Sequence, residues 1–78
     1  ERTTSNGRID IVLKTKDYIY VMELKLDGSA DDALRQIEEK GYALPFTKDP
    51  RKLYKIGVDF SSETRGLKEW KIIPDADA

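Results

Sequence analysis

The chain has 78 residues, with 14 Lys and Arg against 15 Asp and Glu, a net charge of −1, and neither cysteine nor histidine. That length allows one domain or part of one, with a net stability of about 3–5 kcal/mol. The composition excludes a disulfide framework and a thiolate or imidazole metal centre, and it supplies no global positive field for nucleic acid or anionic membrane.

Any metal must therefore be held by oxygen. The charges are 37% of the residues and both signs are interspersed, as on a soluble surface. Nothing resembles a signal peptide or a membrane-spanning run, so a cytoplasmic address is the default.

Residues 1–7, "ERTTSNG", are polar and turn-rich. In "RIDIVLKT", Ile9, Ile11 and Leu13 alternate with Arg8, Asp10, Val12 and Lys14, which predicts a strand. After Lys16-Asp17, "YIYVMELKL" predicts a second strand, and the short gap predicts a hairpin. "DGS" ends that strand, and Ser29 with Asp32 forms a capping box before Ala30, Ala33, Leu34 and Ile37 recur at helical spacing to about Tyr42. Pro45 and Pro50 bracket a loop; "KLYKIGVDF" and the shorter "GLKEWKII" are further strands, the last stopped by Pro74. A strand-helix-strand unit after a hairpin predicts an α+β domain, a mixed sheet in the order strand-strand-helix-strand-strand with the helix on one face. A single domain spans 1–73, with a structureless acidic tail at 74–78.

A two-residue hairpin loop sets Asp10 opposite Glu23, Arg8 opposite Lys25 and Val12 opposite Val21, while Ile9, Ile11, Leu13, Tyr20, Met22, Leu24 and Leu26 gather on the other, apolar face. Directly opposed side chains have Cβ atoms roughly 5 Å apart. Two carboxylates at that distance repel by about 3 kcal/mol at an effective dielectric of about 20, close to the whole stability margin. A raised carboxyl pKa would relieve the repulsion, and two further compensations suit the residues. One is a hard cation, Mg²⁺ or Mn²⁺, held by Asp10, Glu23 and the backbone carbonyl of Leu24, with Lys25 beside it. The other is a solvent-facing quartet of Arg8, Asp10, Glu23 and Lys25 with no function. A one-residue slip in register would remove the question altogether. Lys48, Arg51, Lys52 and Lys55 make a local basic run, either a phosphate-contacting patch with Arg8 or a solvated loop. Of the seven aromatic residues, most are expected in the core.

"GRIDIVL", then "MELK", then a helix carrying "ALRQI" resembles the PD-(D/E)XK nuclease superfamily. The likeness runs from about Glu1 to Trp70 through "KGYALPF", "KIGVDFS" and the final "EW", and is nearest the bacterial branch with an AAA-ATPase-like N-terminal domain. It implies a restriction-endonuclease-like sheet and a metal-dependent nuclease acting on nucleic acid, DNA first. Asp10 and Glu23 then match the metal-binding acids, Lys25 the motif lysine, and Gln36 the polar residue on the following helix. The sequence departs from the pattern in having Ile9 before Asp10 and in lacking the N-terminal core helix, whose acidic residue only Glu1 could replace. A chain without that helix reads as a piece of a longer protein with an open apolar sheet face. The same likeness accommodates an inactive nuclease-fold module that binds nucleic acid or protein, regulates an attached ATPase-like domain, or pairs with a second copy.

Overall fold

The computed structural model describes residues 2–3 and 9–75, with side chains described from Ile11 onward. Its elements are β1 (Arg2–Thr3), β2 (Ile9–Lys14), β3 (Tyr18–Leu26), α1 (Ala30–Lys40), a 3₁₀ turn (Leu44–Phe46), β4 (Lys52–Ser61) and β5 (Gly66–Pro74). They form one mixed sheet in the order β1-β2-β3-β4-β5, antiparallel except for β3 and β4, which run parallel and are joined by α1. This is the predicted α+β architecture, with one difference at the start. Arg2–Thr3 pairs with Asp10 and Ile9 within a segment whose composition reads as a turn.

The hairpin closes through Thr15 N–H donating to the Tyr18 carbonyl at 2.8 Å. Neither Lys16 nor Asp17 takes a positive φ, so the primed turns favoured in two-residue loops are absent here. The Thr15 hydroxyl supports the turn by accepting the Tyr18 N–H at 3.0 Å. The β2–β3 register has Asp10 opposite Glu23, Val12 opposite Val21 and Leu13 opposite Tyr20, as the two-residue loop requires.

Helix α1 starts where Asp32 N–H donates to the Ser29 hydroxyl at 2.9 Å, and ends at Gly41, whose φ of 67° lets its N–H bond back to the last turn. Its buried stripe is Ala30, Ala33 and Ile37. The stripe lies on the strand face that carries Ile19, Val21 and Glu23 of β3 and Leu53, Gly57 and Asp59 of β4. Gly57 makes the contact close, since a Cβ there would meet the Ala30 carbonyl oxygen at 2.4 Å and Ala33 Cβ at 3.1 Å. Ile19, Val21, Ile37, Ala43 and Leu53 form the core, with Leu34, Tyr42 and Phe46 against it.

Tyr20, Met22, Leu24, Ile56 and Val58 occupy the other face, half-buried, and no helix covers them among the described residues. Tyr18, Tyr20 and Tyr54 stack there with ring centroids about 6 Å apart, and Trp70 is exposed. The aromatic residues thus divide between the core and this open face. At the end of the chain the sheet runs one residue past the expected stop. β5 includes Pro74, and Asp75 N–H donates to the Leu53 carbonyl at 2.9 Å. Residues 76–78 of the expected tail lie outside the described residues.

Candidate active site

Two sheet rows meet under the first turn of α1. Arg2, Asp10, Glu23 and Gly57 are consecutive register partners across β1 to β4. The next row on the same face joins Lys25, Asp59 and Glu69. Glu23 is 0% exposed, one of the largest fully buried side chains of the domain. Burying a carboxylate carries an effective cost of several kcal/mol before its partners are counted, whereas an apolar residue would pack beside Val21 at no such cost. The expectation of a solvent-facing charge quartet is overturned at Glu23: α1 covers the charged face, and the solvent meets the apolar one.

Lys25, half-buried, lies two residues further along β3 on the same face. Its stem runs over Gly28, where a Cβ would approach Lys25 Cδ to 3.2 Å. The β3–α1 loop is pinned from β4 by Asp59, whose Oδ1 accepts the Gly28 N–H at 2.8 Å. A second tie comes from Asp27, at φ 56°, which accepts the Ser62 N–H at 3.0 Å. The Ser62 hydroxyl, then its N–H, hold the Asp27 carboxyl below the ordinary aspartate range. At the helix start, Glu69 Oε1 accepts the Ala30 N–H at 2.7 Å. The positive end of α1 thus faces a concentration of acidic groups, a favourable arrangement.

Gln36 is half-buried on α1, three residues after Ala33 and one before Ile37, at the flank of the buried stripe. The basic run is not brought to this place. Lys52 pairs in register with Tyr18, seven positions before Asp59 on β4, about 23 Å at roughly 3.3 Å per residue. Arg51 is committed to Asp49, with Nε to Oδ1 at 2.9 Å and Nη2 to Oδ2 at 2.8 Å. Lys55 is buried between Glu38 and Asp75, the latter at 3.3 Å. Burial lowers its affinity for the proton, but these two carboxylates outweigh burial and leave its pKa raised. Arg8 and Glu1 lie outside the described residues. A cleft of about 410 Å³, lined by Lys16, Tyr18, Arg51 and Lys52 among others, is at this distant end as well.

Sequence reasoning missed Asp59, Lys68 and Glu69. Asp59 had a visible signal, because Leu53, Lys55, Gly57 and Asp59 alternate on one face of β4, and a charged residue there falls beside Lys25.

No group of three or more His, Cys, Asp or Glu side chains that could hold a metal forms among the described residues; the Asp10 side chain is outside them. The donor set of Asp10, Glu23 and the Leu24 carbonyl is oxygen alone, which fits a hard divalent cation rather than zinc or copper.

A mixed sheet with the parallel β3–α1–β4 unit, and an acid-rich site at its carboxyl end, defines a restriction-endonuclease-like α+β domain. The model of the PD-(D/E)XK nuclease superfamily matches residues 1–70, and the chain belongs to that superfamily. It is also 33% identical over 69 residues to a protein of Azotobacter chroococcum mcd 1, named "Uncharacterized protein in vnfD 5'region". Those residues are 86% of this chain and 13% of that protein. No solved structure matches the chain. Among the described residues, no helix is long and apolar enough to cross a membrane.

Proposed function

We propose that this domain hydrolyses phosphodiester bonds in nucleic acid, DNA first, with Mg²⁺ or Mn²⁺ held by Asp10, Glu23 and the Leu24 carbonyl. The observation that carries the reading is the register pairing of Asp10 with the fully buried Glu23, two residues from Lys25. A bound divalent cation would supply charge neutralisation at the scissile phosphate and acidify a water. Glu23 is held ready beneath α1, away from solvent. Lys25 offers ammonium N–H groups to a phosphate oxygen or to the attacking water, and Gln36 offers an amide that orients the water or a carboxylate. The protein containing this domain is read as cytoplasmic, with an AAA-ATPase-like domain in the same chain.

The test is cleavage of labelled duplex and single-stranded oligonucleotides by the natural full-length protein with Mg²⁺ or Mn²⁺. Lys25→Ala and Asp10→Ala should each lose about 10²-fold or more in turnover, while the circular dichroism spectrum and oligonucleotide binding persist. Cleavage unchanged in both variants would falsify the catalytic assignment.

A second reading is an inactive nuclease-fold module for nucleic-acid or protein binding, or for regulation of the attached ATPase-like domain. The net charge of −1 and the commitment of Arg51 and Lys55 to internal ion pairs favour it. Binding without turnover in the wild-type protein, under every divalent ion tried, would select this reading.

A further inference from the structure

Beside Lys25, the face that holds Glu23 carries a lysine whose presence breaks strand alternation. Glu69 belongs on this face, since it pairs with Asp59 in register and reaches the Ala30 N–H. Successive side chains of a regular strand point to opposite faces, so Lys68 should point away. It does not: Lys68 Nζ lies 3.6 Å from Asp59 Oδ2. The cause is a register shift, in which Asp59 and Phe60 pair with Glu69 and Leu67 and leave Lys68 as the extra residue. Such bulges re-aim side chains.

The two partners are unequal. Asp59 is 0% exposed and fixed through Oδ1 to Gly28, and its Oδ2 accepts no hydrogen bond among the described residues. The Lys68 side chain is 54% exposed. An ammonium at this distance is ion-paired rather than hydrogen-bonded, and it keeps its three N–H groups for another acceptor. Simple neutralisation of Asp59 would be served better by a buried, hydrogen-bonded partner. Across the sheet, Lys25 on β3 and Lys68 on β5 flank Asp59. Two strand spacings of about 4.8 Å set their backbones roughly 10 Å apart.

We propose that Lys68 is a phosphate-contacting residue for the nucleic-acid substrate beside the candidate active site, and that buried Asp59 is its positioning residue. The inference rests on the nucleic-acid reading above for its ligand, and it does not require turnover.

The experiment uses the natural full-length protein and a fluorescein-labelled oligonucleotide, duplex and single-stranded. Binding is followed by anisotropy in Ca²⁺ over a range of KCl concentrations, alongside cleavage in Mg²⁺. Lys68→Gln should weaken binding about threefold to tenfold and reduce the slope of log K against log salt by about one. Lys68→Arg should restore both. Asp59→Asn, which keeps an acceptor for Gly28, should weaken binding with the slope close to wild type. An unchanged slope in Lys68→Gln, with an unchanged melting temperature, overturns the proposal, as does a wild-type protein that binds neither oligonucleotide. Loss of slope without cleavage in any variant sustains the Lys68 assignment and defeats the catalytic reading. Cleavage with Lys68→Gln indistinguishable from wild type in slope and KM defeats Lys68 alone.

Discussion

At the scale of single residues, Glu23, Asp59 and Asp49 are carboxylates under three different constraints. Glu23 is fully buried beneath α1, Asp59 is buried but anchored to a backbone N–H, and Asp49 grips an arginine near the surface. For Asp49, the Arg51 side chain, then its backbone N–H, hold the carboxyl down at about 2, against 3.8 ordinarily. A depressed carboxyl pKa contributes stability that is complete above the unfolded value and is lost as pH falls through the folded one. The melting-temperature difference between wild type and Asp49→Asn should therefore shrink as pH falls from about 4 to about 2. Thermal denaturation followed by circular dichroism across that range checks it. A difference independent of pH would show that Asp49 acts through its hydrogen bonds alone.

At the scale of elements, the contact of α1 with β4 decides which face of the sheet becomes the interior. The hairpin register was legible from alternation plus a two-residue gap, and the helix start from Ser29 and Asp32. The buried face was not. Tyr20, Met22, Leu24 and Leu26 offer more apolar surface than Ile19, Val21 and Glu23, so hydropathy favours the wrong side. What decides is fit: Ala30 and Ala33 are small, and Gly57 lacks a Cβ where the helix backbone arrives. A glycine inside a strand signals such an approach.

The bulge was legible in principle too. The apolar positions Leu67, Trp70 and Ile72, partners of Phe60, Val58 and Ile56, step by three and then by two, whereas an unbroken strand steps by two. Strand β1 left no mark because two paired residues carry no period. Gly57→Ala should destabilise the domain by about 1–3 kcal/mol through overpacking, lowering the melting temperature by roughly 4–8 °C per kcal/mol. Chemical denaturation of the variant measures it; a loss below about 0.5 kcal/mol would mean that α1 shifts freely on the sheet.

At the scale of the whole molecule, a net charge of −1 leaves no long-range attraction for a polyanion, so recognition must be local. The described cations that adjoin the acid-rich site are Lys25 and Lys68, with Lys71 drawn to Asp31 at 2.8 Å. Binding by so few contacts is expected to be weak and to have a shallow salt dependence, about one unit of slope per contact, unless other parts of the full-length protein add to it. The division of faces is consistent with this economy. One face buries Glu23 and Asp59 beneath α1; the other, with the Tyr18–Tyr20–Tyr54 stack and exposed Trp70 and Ile72, is largely apolar among the described residues.

The pairing of Asp10 with Glu23 as a hard-cation site is the claim on which the functional reading depends, and the metal alone can test it. In ¹⁵N-labelled protein titrated with sub-stoichiometric Mn²⁺, the amide resonances of Asp10, Glu23, Leu24 and Lys25 should broaden first. Asp10→Asn should abolish that selectivity without changing the spectrum elsewhere. Uniform broadening, or first broadening at the exposed acids Glu38, Glu39 and Glu63, would contradict the assignment.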